Sequence, residues 1–289
     1  MKLLPICTLL ALALCIPGAH AADAGIFSIV EGQARVLRDT TWYRLIPGAR
    51  FQEGDILVAK GAGQIQVELT AGGTFNLGTP GTLFAAAIPA LGDKSAGPAE
   101  LSLREGWLKF AAAAPSGGFR IQFDTASLLA SESIVVMHAQ PGAVEMFVES
   151  GSANLLDAGQ GAAKAPAATE LKAGEFAALS VERPARFERR APPTFVAAIP
   201  RYLIDPLPAL AAKYKAAKVQ MVAEQEINYA EAAPWLAGRY RKSFLKRFQP
   251  RLKDRDFRAA VDAHIALYPE WDRIMHPEKY RPKVPVEAK

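Results

Sequence analysis

Gln64-Ile65-Gln66-Val67-Glu68-Leu69 alternates polar and apolar residues one by one. Successive side chains of a strand point to opposite faces, so this stretch reads as a strand with one face in a core and the other in water. Similar short stretches flank it between glycine and proline signals: Gly32 to Leu37, Asp55 to Val58, Thr74 to Leu77, Leu101 to Phe110, Phe119 to Phe123, Ile134 to His138, Val144 to Val148, Ser152 to Leu156 and Phe176 to Val181. Many short strands divided by turns argue for an all-β unit. The Ala/Gly/Pro-rich pieces Ala85 to Ala99, Ala111 to Gly118 and Asp157 to Thr169 read as loops.

A weak internal repeat runs through this half. Val30-Glu31-Gly32-Gln33-Ala34-Arg35-Val36 is followed by Phe51-Gln52-Glu53-Gly54-Asp55-Ile56, and Val148-Glu149-Ser150-Gly151-Ser152-Ala153-Asn154-Leu155 by Leu171-Lys172-Ala173-Gly174-Glu175-Phe176. Leu103-Arg104-Glu105-Gly106-Trp107-Leu108-Lys109-Phe110 is a third copy of the first element. A glycine entering a strand permits positive φ, and stacked units of this kind bury a shared core with little room for an enzyme cleft. With Trp42, Leu45, Gly72-Gly73 and Phe75-Asn76-Leu77-Gly78, these elements resemble the FecR domain over residues 26 to 183. The resemblance implies a non-catalytic, protein-contacting or envelope-associated periplasmic β-domain, as a stack of short strands in a sandwich or solenoid. Two elements depart from the family: Ala71-Gly72-Gly73 replaces its Asp-Gly, and Ser131-Glu132-Ser133 replaces its Gly-Thr. The membrane helix and anti-sigma segment of the regulators are replaced here by a leader.

That leader is Lys2, the apolar stretch Leu3 to Ile16, and Ala19-His20-Ala21, which reads as a secretory signal peptide cleaved after Ala21. It is too short for a confident membrane span, which needs about 20 residues, and no later stretch is long enough. The alternative, lipidation at Cys15, is opposed by Leu14 where a small residue is wanted. Cleavage removes Cys7 and Cys15, the only cysteines of the 289-residue chain, and leaves no thiol chemistry or disulfide in the mature form. A periplasmic location is expected.

Charge divides the chain at Arg183. Residues 22–183 carry 12 basic and 17 acidic side chains, whereas residues 184–289 carry 21 basic and 12 acidic. Such asymmetry suggests an acidic β-domain (22–183), a Pro/Arg-rich linker (184–200) and a small basic all-α domain (201–289), an α+β multidomain protein overall. Three helices are expected there: Leu207 to Val222, Trp235 to Gln249 with Pro234 in its first turn, and a third capped by Asp254 and ended by Pro269.

The second helix carries the candidate site: Arg239, Tyr240, Arg241, Lys242, Lys246, Arg247 and Arg251. Between Arg239 and Arg258 lie nine basic and two acidic residues. Such a face suits an anionic partner: lipid headgroups, lipopolysaccharide phosphates, peptidoglycan carboxylates, an envelope protein or the acidic β-domain itself. Export sets nucleic acid aside. The plainer reading makes the aromatics a core and the charges a solvated face.

Catalytic candidates are few. His138 lies in an apolar strand and reads as a core imidazole. His264, Asp272 and His276 have no spacing that enforces a metal site, and Glu270, Asp272 and Glu278 beside Trp271 read more simply as capping and ion-pairing groups than as a glycan-cutting pair. Gly-x-Ser-x-Gly and Walker loops are absent, and no cofactor or metal is expected. The leading expectation is a non-enzymatic binding or scaffold module. The alternatives are a sensor working through a separate membrane partner and a peptidoglycan-acting hydrolase.

Overall fold

The computed structural model describes residues 23–91, 97–112, 118–124, 126–157 and 168–281. The expected signal peptide and much of the three expected loops lie outside the described residues. The β-domain contains β1 (Asp23–Val30), β2 (Gln33–Arg38), β3 (Thr41–Arg44), β4 (Arg50–Gln52), β5 (Ile56–Lys60), β6 (Gln64–Leu69), β7 (Thr74–Gly78), β8 (Gly81–Ala87), β9 (Ala99–Ala111), β10 (Phe119–Gln122), β11 (Ala126–Gln140), β12 (Ala143–Asp157), β13 (Ala168–Lys172), β14 (Phe176–Ser180) and β15 (Arg186–Glu188). A further strand, β16 (Val222–Glu226), returns from the C-terminal part to pair with β3.

The pairings resolve into two layers. The first runs β16-β3-β2-β5-β8-β9-β10-β11-β12-β13, and the second β4-β1-β6-β7-β9-β11-β12-β14-β15. Strands β9, β11 and β12 belong to both, because each bends midway and continues in the opposite layer. The bends fall at Gly106 (φ +102°), Glu132 (φ +50°) and Gly151 (φ +75°). A Cβ on Gly106 would stand 2.2 Å from the Pro80 carbonyl oxygen, and one on Gly151 2.4 Å from that of Glu132. Only glycine combines this φ with so close an approach.

Between the layers lies the main core, threaded by Phe27, Phe51, Phe75 and Phe119, whose rings meet edge to face at 5.7, 5.7 and 6.4 Å. That geometry matches the ring quadrupoles and adds to simple area burial.

The C-terminal part covers the outer faces of both layers. On the first, Leu37, Trp42, Ile56 and Phe84 pack with Ile227, Trp235, Phe244, Phe248, Phe257 and Trp271 of the helical domain. On the second, Trp107, Val136 and Phe176 pack with Phe195 and Leu203. The helices are short: α1 (Pro193–Ala198), α2 (Tyr229–Ala232), α3 (Arg241–Phe248), α4 (Arg255–Asp262) and α5 (Pro269–Met275), joined by 3-10 turns. A capping box between Asn228 and Glu231 starts α2, and Asp254 accepts the Phe257 N–H to start α4. No described helix is long and apolar enough to cross a membrane.

Three helix expectations change. Leu207 to Val222 is not a helix: it holds one 3-10 turn (Ala211–Tyr214) and the start of β16, because Pro206 and Pro208 lack N–H donors and Glu68 takes the N–H groups of Leu210 and Ala211. Trp235 to Gln249 is broken at Gly238, whose φ is +76°. Pro269 does not end a helix but occupies the first turn of α5, where its missing N–H costs nothing. The polar face of Gln64 to Leu69 also differs from expectation, since Gln64 and Gln66 are buried.

Candidate interaction surface

The seven basic-helix candidates separate into two sets. Arg247 reaches through the helical domain to the β-domain main chain, donating to the carbonyl oxygens of Asp39 (2.6 Å), Gly54 (2.6 Å) and Leu37 (3.0 Å). Its guanidinium lies over Phe244 and Phe248, and burial pulls its pKa down to about 10, which leaves it a cation at neutral pH. Arg251 donates to the Ile227 carbonyl oxygen at 3.0 Å and lies over the Phe257 ring. Arg241 pairs with Glu270 at 2.8 Å and donates to the Leu267 carbonyl oxygen. Tyr240 donates to Glu100 at 2.7 Å, and burial together with that carboxylate pushes its pKa up. These four side chains hold the helical domain together or fix it to the sheet.

Arg239, Lys242 and Lys246 are exposed. Lys242 and Lys246 are four residues apart and share the outer face of α3, and Arg239 lies in the turn just before it. The same helix thus has an inner apolar and clamping face, with Phe244, Leu245, Phe248 and Arg247, and an outer cationic one.

Beside the helical domain, the uncovered half of the first layer forms a groove that sequence reading missed. Arg35, Val58, Thr82 and Glu105 form one row across β2, β5, β8 and β9. A cavity of about 320 Å³ lies over them, bounded also by Trp42, Lys60, Arg104, Glu231 and Trp235. Arg35 covers the Trp42 ring at 4.4 Å, and Arg104 covers Trp235 at 5.0 Å while donating to the Pro234 carbonyl oxygen. Glu231 accepts from Trp42 Nε1 at 3.0 Å and from Arg35 at 3.4 Å, so one carboxylate joins α2 to two strands. Trp42 was noted in sequence, but nothing local identifies its partners almost 190 residues away.

The catalytic candidates are placed as follows. His138 is stacked on Trp107, centroids 4.4 Å apart, and burial lowers its pKa. His276 meets Asp262 at 2.7 Å and Asp272 at 3.9 Å, whereas His264 stays apart, stacked on Tyr229 with Nδ1 at 2.9 Å from the Ala260 carbonyl oxygen. Hydrogen bonds from Tyr280 and Lys279 hold the Asp272 carboxyl below its usual range. Glu270 is taken by Arg241. Among the described residues no cluster of three or more His, Cys, Asp and Glu is placed to hold a metal ion.

No protein-family model matches the chain, and no curated protein matches it. Among solved structures, two crystal structures of a candidate anti-sigma factor from Parabacteroides distasonis ATCC 8503, at 2.50 and 1.65 Å resolution, are similar. Each is 12% identical to this chain, with TM-scores of 0.38 and 0.37. The matched stretch spans 47% of this chain and 59% of each of those chains. Both TM-scores lie below 0.5, and no statement about function follows from them.

Proposed function

We propose that this chain is an exported, non-catalytic binding module of FecR-like type, whose basic helix presents a fixed cationic face to an anionic component of the cell envelope. The observation that carries the reading is the division within α3. Arg247 anchors the helix to the β-domain main chain, while Lys242 and Lys246, with Arg239 just before the helix, face outward. Because the helix backbone is already anchored, it has little left to order on meeting an anionic surface, and each exposed cation contributes about 1 kcal/mol there at moderate salt. Support for the FecR-like assignment comes from the glycine-led strands that carry the resemblance. Gly32, Gly54, Gly106, Gly151 and Gly174 all take positive φ.

Co-sedimentation of the mature protein with phosphatidylglycerol vesicles and with peptidoglycan sacculi tests this function. Binding to either that weakens with salt, and falls about tenfold or more when Arg239, Lys242 and Lys246 are all replaced by Gln, is the expected result. Unchanged binding by the triple variant overturns the role of the basic face, and release of soluble fragments from sacculi overturns the non-catalytic reading. Fractionation of cells, with N-terminal sequencing of the recovered protein, tests export and cleavage after Ala21.

A further inference from the structure

The polar face of β6, expected in water, is covered instead by a length of the protein's own chain. Gln66, Asn76 and Lys109 are consecutive partners across β6, β7 and β9 on the outer face of the second layer, and all three are almost fully buried. The covering segment is Leu203-Ile204-Asp205-Pro206-Leu207-Pro208-Ala209-Leu210-Ala211. Lys109 Nζ donates to the carbonyl oxygens of Leu203 (3.0 Å), Asp205 (3.1 Å) and Ile204 (3.4 Å), and pairs with Glu149 at 2.9 Å. Gln66 Nε2 donates to the Pro208 carbonyl oxygen at 2.7 Å, and Glu68 accepts the N–H groups of Leu210 (2.7 Å) and Ala211 (3.0 Å).

Among the described residues, each of the hydrogen bonds to this segment goes to its main chain, which leaves one 3-10 turn at Leu203 and enters another at Ala211, so the sheet reads a turn-flanked, proline-containing backbone and not a particular set of side chains. The fit is incomplete. Among the described residues Gln66 Oε1 and Asn76 Oδ1 are buried without a donor, and Pro206 and Pro208 have no N–H to offer them. Because the face beneath is polar, its uncovering exposes amides and an ammonium to water and little apolar surface at the centre; the apolar anchor is Leu203, in the cluster of Trp107, Val136, Phe176 and Phe195.

We infer that the outer face of the second layer is a binding track for a turn-flanked, proline-containing polypeptide, filled in cis by residues 203–211 and open to exchange with a segment of the same chemistry from a partner protein. Backbone hydrogen bonding of this kind gives affinity, while the anchor pocket gives register. Lys109 and Glu68 fix polarity, since the first donates to the carbonyls of residues 203–205 at one end and the second accepts the N–H groups of Leu210 and Ala211 at the other, with Gln66 donating to Pro208 between them.

The test uses a fluorescein-labelled peptide of sequence Arg201 to Ala212 and the full mature chain. Leu203→Ala vacates the anchor pocket, which the peptide's own leucine then fills. Fluorescence anisotropy is expected to show at least tenfold tighter peptide binding by Leu203→Ala than by the wild type. Adding Glu68→Gln, an isosteric change that leaves the sheet core untouched, is expected to weaken it by about tenfold. Circular dichroism and melting confirm that each variant folds. In the wild type, hydrogen exchange at Leu210 and Ala211 is expected to be faster than at the amides of β6. Equal affinity of wild type and Leu203→Ala, insensitivity to Glu68→Gln, or exchange at Leu210 as slow as in β6 each overturns the track. Replacing Arg239, Lys242 and Lys246 by Gln leaves this peptide binding unchanged, so its failure and that of the basic-helix function are read separately.

Discussion

Arg247→Met keeps the aliphatic stem against Phe244 and Phe248 and removes only the guanidinium. Three main-chain carbonyls then lose their charged donor. Net worth for a hydrogen bond to a charged group is about 1.5 kcal/mol at the low end, so three amount to about 4.5 kcal/mol before any offset. Part of that is offset already, because burial of the cation is costly enough to pull its pKa down to about 10. A loss of about 2–3 kcal/mol is expected, which for a chain of this size lowers the melting temperature by roughly 5–10 °C. Lys246 is the neighbouring residue and is exposed, so Lys246→Met is expected to change stability by less than about 0.5 kcal/mol. Calorimetry and urea titration of the two variants side by side measure both values. A melting shift below about 2 °C for Arg247→Met, or equal shifts at the two positions, refutes the division of α3 into a clamping and a free face.

Gly106→Ala combines positive φ with a 2.2 Å approach to the Pro80 carbonyl oxygen and is expected to cost about 3 kcal/mol or more, whereas Gly54→Ala, with similar φ but open space, costs about 1 kcal/mol. Urea midpoints of the two variants check the contrast. Phe244→Ala empties a fully buried site shared by Phe84, Trp235 and Phe248, and a loss of about 3–5 kcal/mol is expected on unfolding. Burial beside Trp107 lowers the His138 pKa, so the folded state favours the neutral ring and the unfolded chain binds the proton more readily. Stability from this group is therefore complete above about pH 6.5 and declines as pH falls toward the folded-state value. His138→Gln is expected to flatten the melting temperature between pH 7 and 5, and an undiminished slope refutes the assignment.

The β-domain was legible where alternation and glycine spacing coincide. The stretch Gln64 to Leu69 is a strand with those bounds, and Thr74 to Leu77 differs by one residue. Val144 to Val148 and Ser152 to Leu156 read as two strands but are one, because Gly151 bends β12 from one layer into the other without ending it. Strand β8 holds Ala85, Ala86 and Ala87, which have weak strand preference; what makes them a strand is pairing with β9, a partner that local sequence does not announce. Gly238 breaks the helix expected over Trp235 to Gln249, so α3 begins only at Arg241, yet Phe244, Leu245 and Phe248 face inward while Lys242 and Lys246 are exposed. Four of the seven side chains assigned to a binding face are held by partners within the protein. Those of Arg247, the carbonyls of Leu37, Asp39 and Gly54, lie some 200 residues away, whereas Arg241 and Arg251 bond within the C-terminal part.

The charge split at Arg183 describes two surfaces that depend on each other for folding. Helices of four to eight residues are far below the length at which a helix is stable alone. They gain that stability by packing against Leu37, Trp42, Ile56 and Phe84, which the first layer offers on a face that would otherwise be apolar and open to water. Strand β16 ties the same region to β3, and only ten residues separate it from Ala211 at the end of the track on the second layer. Were a peptide on the track to loosen β16 as well, it would be coupled to an anionic partner on α3, and by linkage each would change the other's affinity by the same factor; equal peptide affinity with and without that partner shows the two surfaces to be independent.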